Sequence, residues 1–131
     1  KRLAHDFPLQ WVEIPLAKRL GQNTLQARQS EGVLMSQAIG RGAYVVALEV
    51  NGQRFSSPAL ATFLEKRLRE GLDLVFLIGG PDGIEPSLSE QANLRWSLSD
   101  LTLPHALVRV VLAEALYRAV SINKGHPYHR A

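Results

Sequence analysis

The chain has 131 residues, of which 46% are hydrophobic and 21% charged, with a formal net charge of +3 and no cysteine. This composition fits one globular domain with its own core. It excludes a disulfide framework, a thiolate nucleophile and a cysteine metal site. No apolar run reaches the roughly 20 residues that span a bilayer, so we expect no membrane contacts. The lack of cysteine fits a reducing compartment, and we expect a cytoplasmic protein.

The first residues predict that something precedes them. The chain starts with Lys1, and residues 1–5 resemble the last turn of a helix, where cationic side chains are favourable. We therefore expect a single domain over residues 1–131 from which an N-terminal strand and most of the first helix are missing.

The first half of the chain predicts two strands around one helix. Alternating residues 9–14 indicate a strand, and residues 25–39 indicate a helix that ends at Gly40. Residues 43–50 are apolar and rich in β-branched side chains, which predicts a buried strand. Asn51-Gly52 is a turn sequence and should end that strand.

The second half alternates in the same way. Ser56-Ser57-Pro58 predicts the start of a helix that ends at Gly71. Residues 73–78 and 94–99 read as strands, and a long apolar helix covers residues 105–121. Continuous apolar strands that alternate with helices predict an α/β domain whose parallel sheet has helices on both faces.

The first candidate site is the glycine-rich loop at residues 79–83, which directly follows a buried strand. Ligands of parallel sheets bind outside the carboxyl ends of the strands. Glycine at such a loop permits positive φ and close approach of a ligand. The loop matches neither a dinucleotide fingerprint nor a P-loop, so a tight turn without a ligand stays open.

The second candidate site is the segment 98–105, which is apolar yet contains turn formers and a proline. Such a segment offers free backbone groups beside apolar side chains, a combination that suits an adenine ring. The alternative is a simple connector from strand to helix, capped by Thr102.

The helix at residues 105–121 is apolar around most of its circumference, which predicts burial on more than one side and hence a subunit interface. Glu114 and Arg118 have the spacing of an ion pair. His105 and Arg109 share a face near the helix start. One interpretation is a pair of cations that faces the reaction site or the RNA. The other is a histidine that caps the helix and an arginine with a structural role.

The last residues, 118–131, are basic and contain no acid. They predict either a phosphate contact or a solvated terminus. His126 and His129 are three residues apart, but no carboxylate or cysteine joins them, so we expect no metal site.

Several motifs resemble, in order and spacing, the ribosomal RNA large-subunit methyltransferase H family of the SPOUT class. The resemblance covers nearly the whole chain, although the family normally begins with a further strand and helix. The motifs are Leu77-Ile78-Gly79-Gly80-Pro81-Asp82-Gly83, Trp96-Ser97-Leu98-Ser99, Leu101-Thr102-Leu103-Pro104-His105, Arg109-Val110, Glu114-Ala115-Leu116-Tyr117-Arg118-Ala119 and His126-Pro127-Tyr128-His129-Arg130.

The resemblance implies a SPOUT-type α/β fold with a C-terminal trefoil knot, and a homodimer. It implies methylation of N3 of a pseudouridine in large-subunit (23S) rRNA, within the assembled ribosome, with no metal and no DNA. The methyl donor would be S-adenosylmethionine, and its implied contacts are Leu48, Gly79, Gly80, Leu98, Ser99, Asp100, Leu101, Thr102 and Leu103.

The resemblance also distributes roles near the target base. Tyr128, His129 and Arg130, together with Arg118, would bind RNA. For catalysis we expect a cation, Arg109 or Arg130, to stabilise the anion that develops on the ring. A neutral His105 or His129 would accept the proton. Two alternatives stay open, namely a SPOUT enzyme for transfer RNA or a ribose hydroxyl, and a ribosome-binding protein without activity.

Overall fold

The computed structural model describes residues 9–12, 24–79 and 83–125. In this part of the chain, the central strand β1 pairs in parallel with β2 on one side and with β3 on the other. The predicted parallel sheet is therefore confirmed. The elements in chain order are α1 (Thr24–Ile39), β1 (Tyr44–Arg54), α2 (Ser57–Arg69), β2 (Leu74–Leu77), α3 (Pro86–Gln91), β3 (Leu94–Ser97) and α4 (His105–Asn123).

Alternate side chains of β1 enter two separate cores. Val46 belongs to the larger core cluster, which is formed with residues of α2 and α4 such as Leu64 and Leu116. Ala47 belongs to the smaller core cluster, where Leu88 of α3 and Met35 of α1 pack. Helices therefore cover both faces of the sheet, as the apolar strand runs predicted.

The helix boundaries follow the predicted caps. The backbone N–H of Ala59 donates to the Ser56 hydroxyl oxygen at 3.2 Å, which caps α2. Gly71 follows this helix with φ +73°, and Gly40 follows α1 with φ +77°. Both glycines adopt the left-handed conformation that commonly ends a helix.

Strand β1 is longer than predicted, because Asn51-Gly52 does not end it. Leu48 and Gln53 both pair with Trp96, so residues 49–52 are inserted without paired residues in β3 and are here called the β1 bulge. A Cβ on Gly52 would lie 2.6 Å from the Arg95 carbonyl carbon. Glycine thus permits the close backbone contact that returns the chain to the sheet after the bulge.

The strand prediction for residues 9–14 is wrong where the structure describes it. Residues 9–12 belong to no strand. Leu9 packs against the larger core cluster, whereas Trp11 and Val12 are 41% and 64% exposed. The alternating pattern correctly indicated that Leu9 faces the core, but it does not show whether another strand pairs with these residues. Residues 13–14, like residues 1–5, lie outside the described ranges.

Helix α3 was not predicted, although its start has a recognisable sequence. Glu85 accepts a hydrogen bond from the Ser87 backbone N–H at 2.9 Å, and Pro86 occupies the first turn. The Ser87 hydroxyl also donates to this carboxylate and holds the pKa of Glu85 below its ordinary value. An acid directly before a proline was thus the available signal for this short helix.

Candidate active site

A pocket of about 390 Å³ lies where the three parallel strands end. Three segments meet there: the end of the first paired stretch of β1, the loop after β2, and the connection from β3 to α4. The volume lies within the roughly 300–1,000 Å³ that is usual for small-molecule sites. The lining residues are Leu48, Glu49, Val50, Ile78, Gly79, Gly83, Ile84, Leu98, Ser99, Leu101, Thr102, Leu103, His105 and Val108.

The loop after β2 folds back on itself at Gly79. A Cβ on this residue would lie 2.5 Å from the Gly83 carbonyl carbon and 2.6 Å from the Ile84 backbone nitrogen. Gly83 itself has φ +86°. The chain's own backbone therefore requires glycine at position 79, and this requirement holds with or without a ligand. Gly80 lies outside the described residues.

Short polar contacts hold the segment after β3. The Ser97 hydroxyl donates to the Ser99 carbonyl oxygen at 2.9 Å, and the Leu101 N–H donates to the Ser99 hydroxyl oxygen at 3.0 Å. The Arg54 guanidinium pairs with the Asp100 carboxylate at 2.8 Å. These contacts fix the backbone while leaving Leu101 70% exposed.

This segment connects β3 to α4, but the predicted cap by Thr102 is wrong. Pro104 occupies the N-cap position of α4, and no side chain caps that helix end by a hydrogen bond. Thr102 lines the pocket instead. The free end of the helix and the turn before it thus leave backbone groups at the pocket wall.

His105 connects the start of α4 to the loop after β2. Its Nδ1 lies 3.1 Å from the Gly79 carbonyl oxygen. A carbonyl oxygen only accepts hydrogen bonds, so Nδ1 carries the proton. In the neutral ring, Nε2 therefore keeps its lone pair and is able to accept a proton.

Glu49 is the acid among the lining residues and was not predicted as a site residue. It is partly buried in the β1 bulge. Its Oε2 atom is buried and accepts no hydrogen bond from any residue that the structure describes. The sequence signal was a single carboxylate at the end of an otherwise apolar strand.

Most of the predicted donor-binding residues that the structure describes meet in this pocket, but the predicted cation Arg109 does not line it. Asp100 lies outside the lining, in its pair with Arg54. Arg109 lies with its guanidinium carbon 4.6 Å from the centre of the Trp11 ring. The predicted residues that line the pocket are Leu48, Gly79, Leu98, Ser99, Leu101, Thr102, Leu103 and His105.

The remaining predicted residues belong to the C-terminal part of the chain. Arg118 pairs with Glu114 at 2.8 Å, so the predicted ion pair within α4 is confirmed. Tyr128, His129 and Arg130 lie outside the described residues. The binding and catalytic roles of all these residues stay predictions.

Two features of other protein classes are absent from the described ranges. Over residues 9–12, 24–79 and 83–125, no group of three or more metal-ligating side chains comes together. No helix in these ranges is long and apolar enough to cross a membrane.

The sequence is similar over its whole length to proteins of one known family. The family model described as "Predicted SPOUT methyltransferase" matches residues 1–129. The chain is 51% identical over 132 residues to "Ribosomal RNA large subunit methyltransferase H" of Alkalilimnicola ehrlichii, covering all of this chain and 84% of that protein. It is 48% identical over 133 residues to the protein of the same name from Hahella chejuensis, covering 99% and 84%. The chain therefore belongs to the SPOUT methyltransferase family.

Proposed function

We propose that this chain transfers a methyl group from S-adenosylmethionine to N3 of a pseudouridine in large-subunit rRNA. SPOUT methyltransferases use this donor, and two relatives near 50% identity are named for large-subunit rRNA. The observation that carries the proposal is the meeting of three loop segments in one pocket at the carboxyl ends of the strands. A knot at these loops stays a prediction.

The lining of the pocket fits the proposed donor. Leu48, Ile78 and Leu98 offer apolar surface for the faces of an adenine ring, and the turn at residues 99–104 offers backbone groups for its edge. Glu49 adds one buried acceptor atom. Bound there, the donor would supply an electrophilic methyl group on a sulfonium, and the chain's contribution is to orient it.

The target nitrogen carries a weakly acidic proton that must leave. His105 is the described candidate acceptor, because the bond from Nδ1 to Gly79 leaves Nε2 with its lone pair. His129 is the alternative acceptor. We assign the larger contribution to a cation that stabilises the developing anion, either Arg109 or Arg130.

RNA binding is proposed for the basic C-terminal segment. Tyr128 would stack on the target base, while His129, Arg130 and Arg118 would contact the RNA. The support is the sequence of the segment and its resemblance to the family, since residues 126–131 lie outside the described ranges.

A homodimer is proposed across the exposed face of α4. Leu107 and Val110 on this face are 44% and 63% exposed, which is unusual for adjacent apolar positions of one helix. Leu116 is fully buried within the chain, so Leu116→Asp would test the fold of the subunit. Val110→Asp tests the dimer, and a folded parent that sediments as a monomer at micromolar concentration would contradict it.

Methyl transfer to ribosomes lacking this modification tests the function. Purified protein and labelled S-adenosylmethionine are incubated with intact 70S ribosomes, free rRNA or transfer RNA, and the nucleosides are identified by mass spectrometry. We expect N3-methylpseudouridine from large-subunit rRNA with the parent protein. We expect no product after deletion of residues 127–131, with donor affinity unchanged.

The outcomes separate the alternatives. Methylation of transfer RNA or of a ribose hydroxyl would replace the proposed substrate. Binding to ribosomes without affinity for the donor would identify a protein without methyltransferase activity.

A further inference from the structure

Glu49 lies in the irregular part of β1. Val45 and Ala47 pack with the smaller core cluster, and regular alternation would direct residue 49 toward that same apolar face. The β1 bulge interrupts the pairing between Leu48 and Gln53. A bulge re-aims side chains, often beside functional sites, and here Glu49 lines the pocket.

The carboxylate of Glu49 is only partly satisfied by its surroundings. Its Oε2 atom is buried and receives no hydrogen bond from the described residues. The other titratable side chain in the lining is His105, whose Nδ1 is engaged by the Gly79 carbonyl oxygen. A buried acceptor without a donor is costly, so a carboxylate kept at a pocket wall indicates a ligand with hydrogen-bond donors.

We propose that Glu49 accepts hydrogen bonds from the ribose hydroxyls of the methyl donor and thereby selects an adenosine ligand. This inference rests on the proposed function, which places the donor in this pocket. A carboxylate has two acceptor oxygens, which match two vicinal hydroxyls. An acid near the carboxyl end of a strand binds ribose in other α/β nucleotide sites.

The ribose fits this position better than the ammonium group of the donor. Glu49 directly follows Leu48 and shares the pocket with Leu98, two of the side chains proposed to contact adenine. The ribose is bonded to the adenine and must lie next to it. The ammonium group lies beyond the sulfur, at the opposite end of the molecule.

The test compares ligands that contain or lack each group. Calorimetry measures the affinities of S-adenosylmethionine, of 5′-methylthioadenosine, which has the ribose hydroxyls but no ammonium, and of its 2′,3′-dideoxy form. The variants are Glu49→Gln, which keeps the shape, and Glu65→Gln, a matched charge loss on α2 outside the pocket lining. Thermal unfolding of each variant establishes that it is folded.

We expect Glu49→Gln to weaken both hydroxylated ligands by about tenfold to a hundredfold, the range for a hydrogen bond to a charged group. The dideoxy ligand should bind the parent and Glu49→Gln equally, and Glu65→Gln should bind all three ligands like the parent. Glu49→Asp should recover part of the lost affinity if it folds like the parent.

Three results would overturn the assignment. A loss confined to S-adenosylmethionine would move Glu49 to the ammonium end of the donor. Unchanged affinities in folded Glu49→Gln would remove Glu49 from ligand binding, while the donor pocket of the parent would stand. If the parent binds neither S-adenosylmethionine nor 5′-methylthioadenosine, the donor pocket itself fails, and this assignment with it.

Discussion

The larger core cluster and the pocket are built on the same three strands. They differ in how completely other residues of the chain bury their side chains and pair their polar atoms. In the core, Leu64, Leu112 and Leu116 are almost fully buried by other side chains of the subunit. At the pocket, Leu101 is 70% exposed and Glu49 keeps a buried oxygen without a described partner. The contrast separates residues that stabilise the fold from residues that remain available to bind a ligand.

The largest effect on folding should follow from a cavity in the core. Leu116→Ala should lower the free energy of unfolding by about 2–5 kcal/mol, because a fully buried leucine loses its contacts and leaves a void. Leu68→Ala is the control, because Leu68 is 52% exposed and lies on α2, outside the proposed dimer face of α4. Urea unfolding measures both at one protein concentration, and equal losses would contradict the assignment of Leu116 to the core.

A methyl group at Gly79 should damage the pocket more than the core. The added Cβ would press on the backbone of Gly83 and Ile84, and such overpacking typically costs about 1–3 kcal/mol. We expect Gly79→Ala also to weaken donor binding, because the loop after β2 must shift. Gly42→Ala is the control: its φ is +76°, but nothing lies within 4 Å of the added group. Unchanged donor affinity in Gly79→Ala would contradict the role of this loop.

The cap of α2 should contribute a smaller and purely structural effect. Ser56→Ala removes the acceptor for the Ala59 N–H and should lower the free energy of unfolding by about 1 kcal/mol. Because α2 contributes side chains to the larger core cluster and none to the pocket lining, donor affinity should stay at the parental value. A large loss of affinity, measured by calorimetry, would show that core and pocket are coupled.

The smallest effect on stability should come from the ion pair between Arg54 and Asp100. Both side chains are about 70% exposed, so solvent screens the pair and its contribution should stay below about 1 kcal/mol. A double-mutant cycle with Arg54→Met and Asp100→Asn measures it. A coupling energy well above that value would indicate that this contact, rather than the serine hydrogen bonds, fixes the segment after β3.

Local patterns predicted most of the regular elements of this fold, although α3 was missed. The cap at Ser56 and the glycine at position 40 are chemical signals carried by single residues, and the structure confirms the helix ends that they predict. The β1 bulge depends on the approach of Gly52 to the backbone of β3, a contact between distant segments that no local pattern reports. Residues 9–12 show the same limit of local patterns: alternation predicted a strand there, but alternation does not show whether a partner strand is present.

The site was predicted in part for similar reasons. Leu48, Gly79 and the residues from Leu98 to Leu103 were identified by resemblance to the family, and all the described ones except Asp100 line one pocket. Asp100 does not line the pocket, and its carboxylate pairs instead with Arg54, which lies at the end of β1 after the bulge. Glu49 was not predicted, because the observation that marks it is a buried oxygen without a described hydrogen-bond donor. That property exists only in the folded chain.

Hydrogen exchange with and without S-adenosylmethionine tests most directly whether this pocket holds the methyl donor. The account predicts slower amide exchange in residues 48–50, 78–84 and 98–105 when the donor is present, with unchanged exchange in α2. Protection of all three segments together would establish that they form one binding site. Donor binding that leaves these segments unchanged and protects another surface would contradict the central claim.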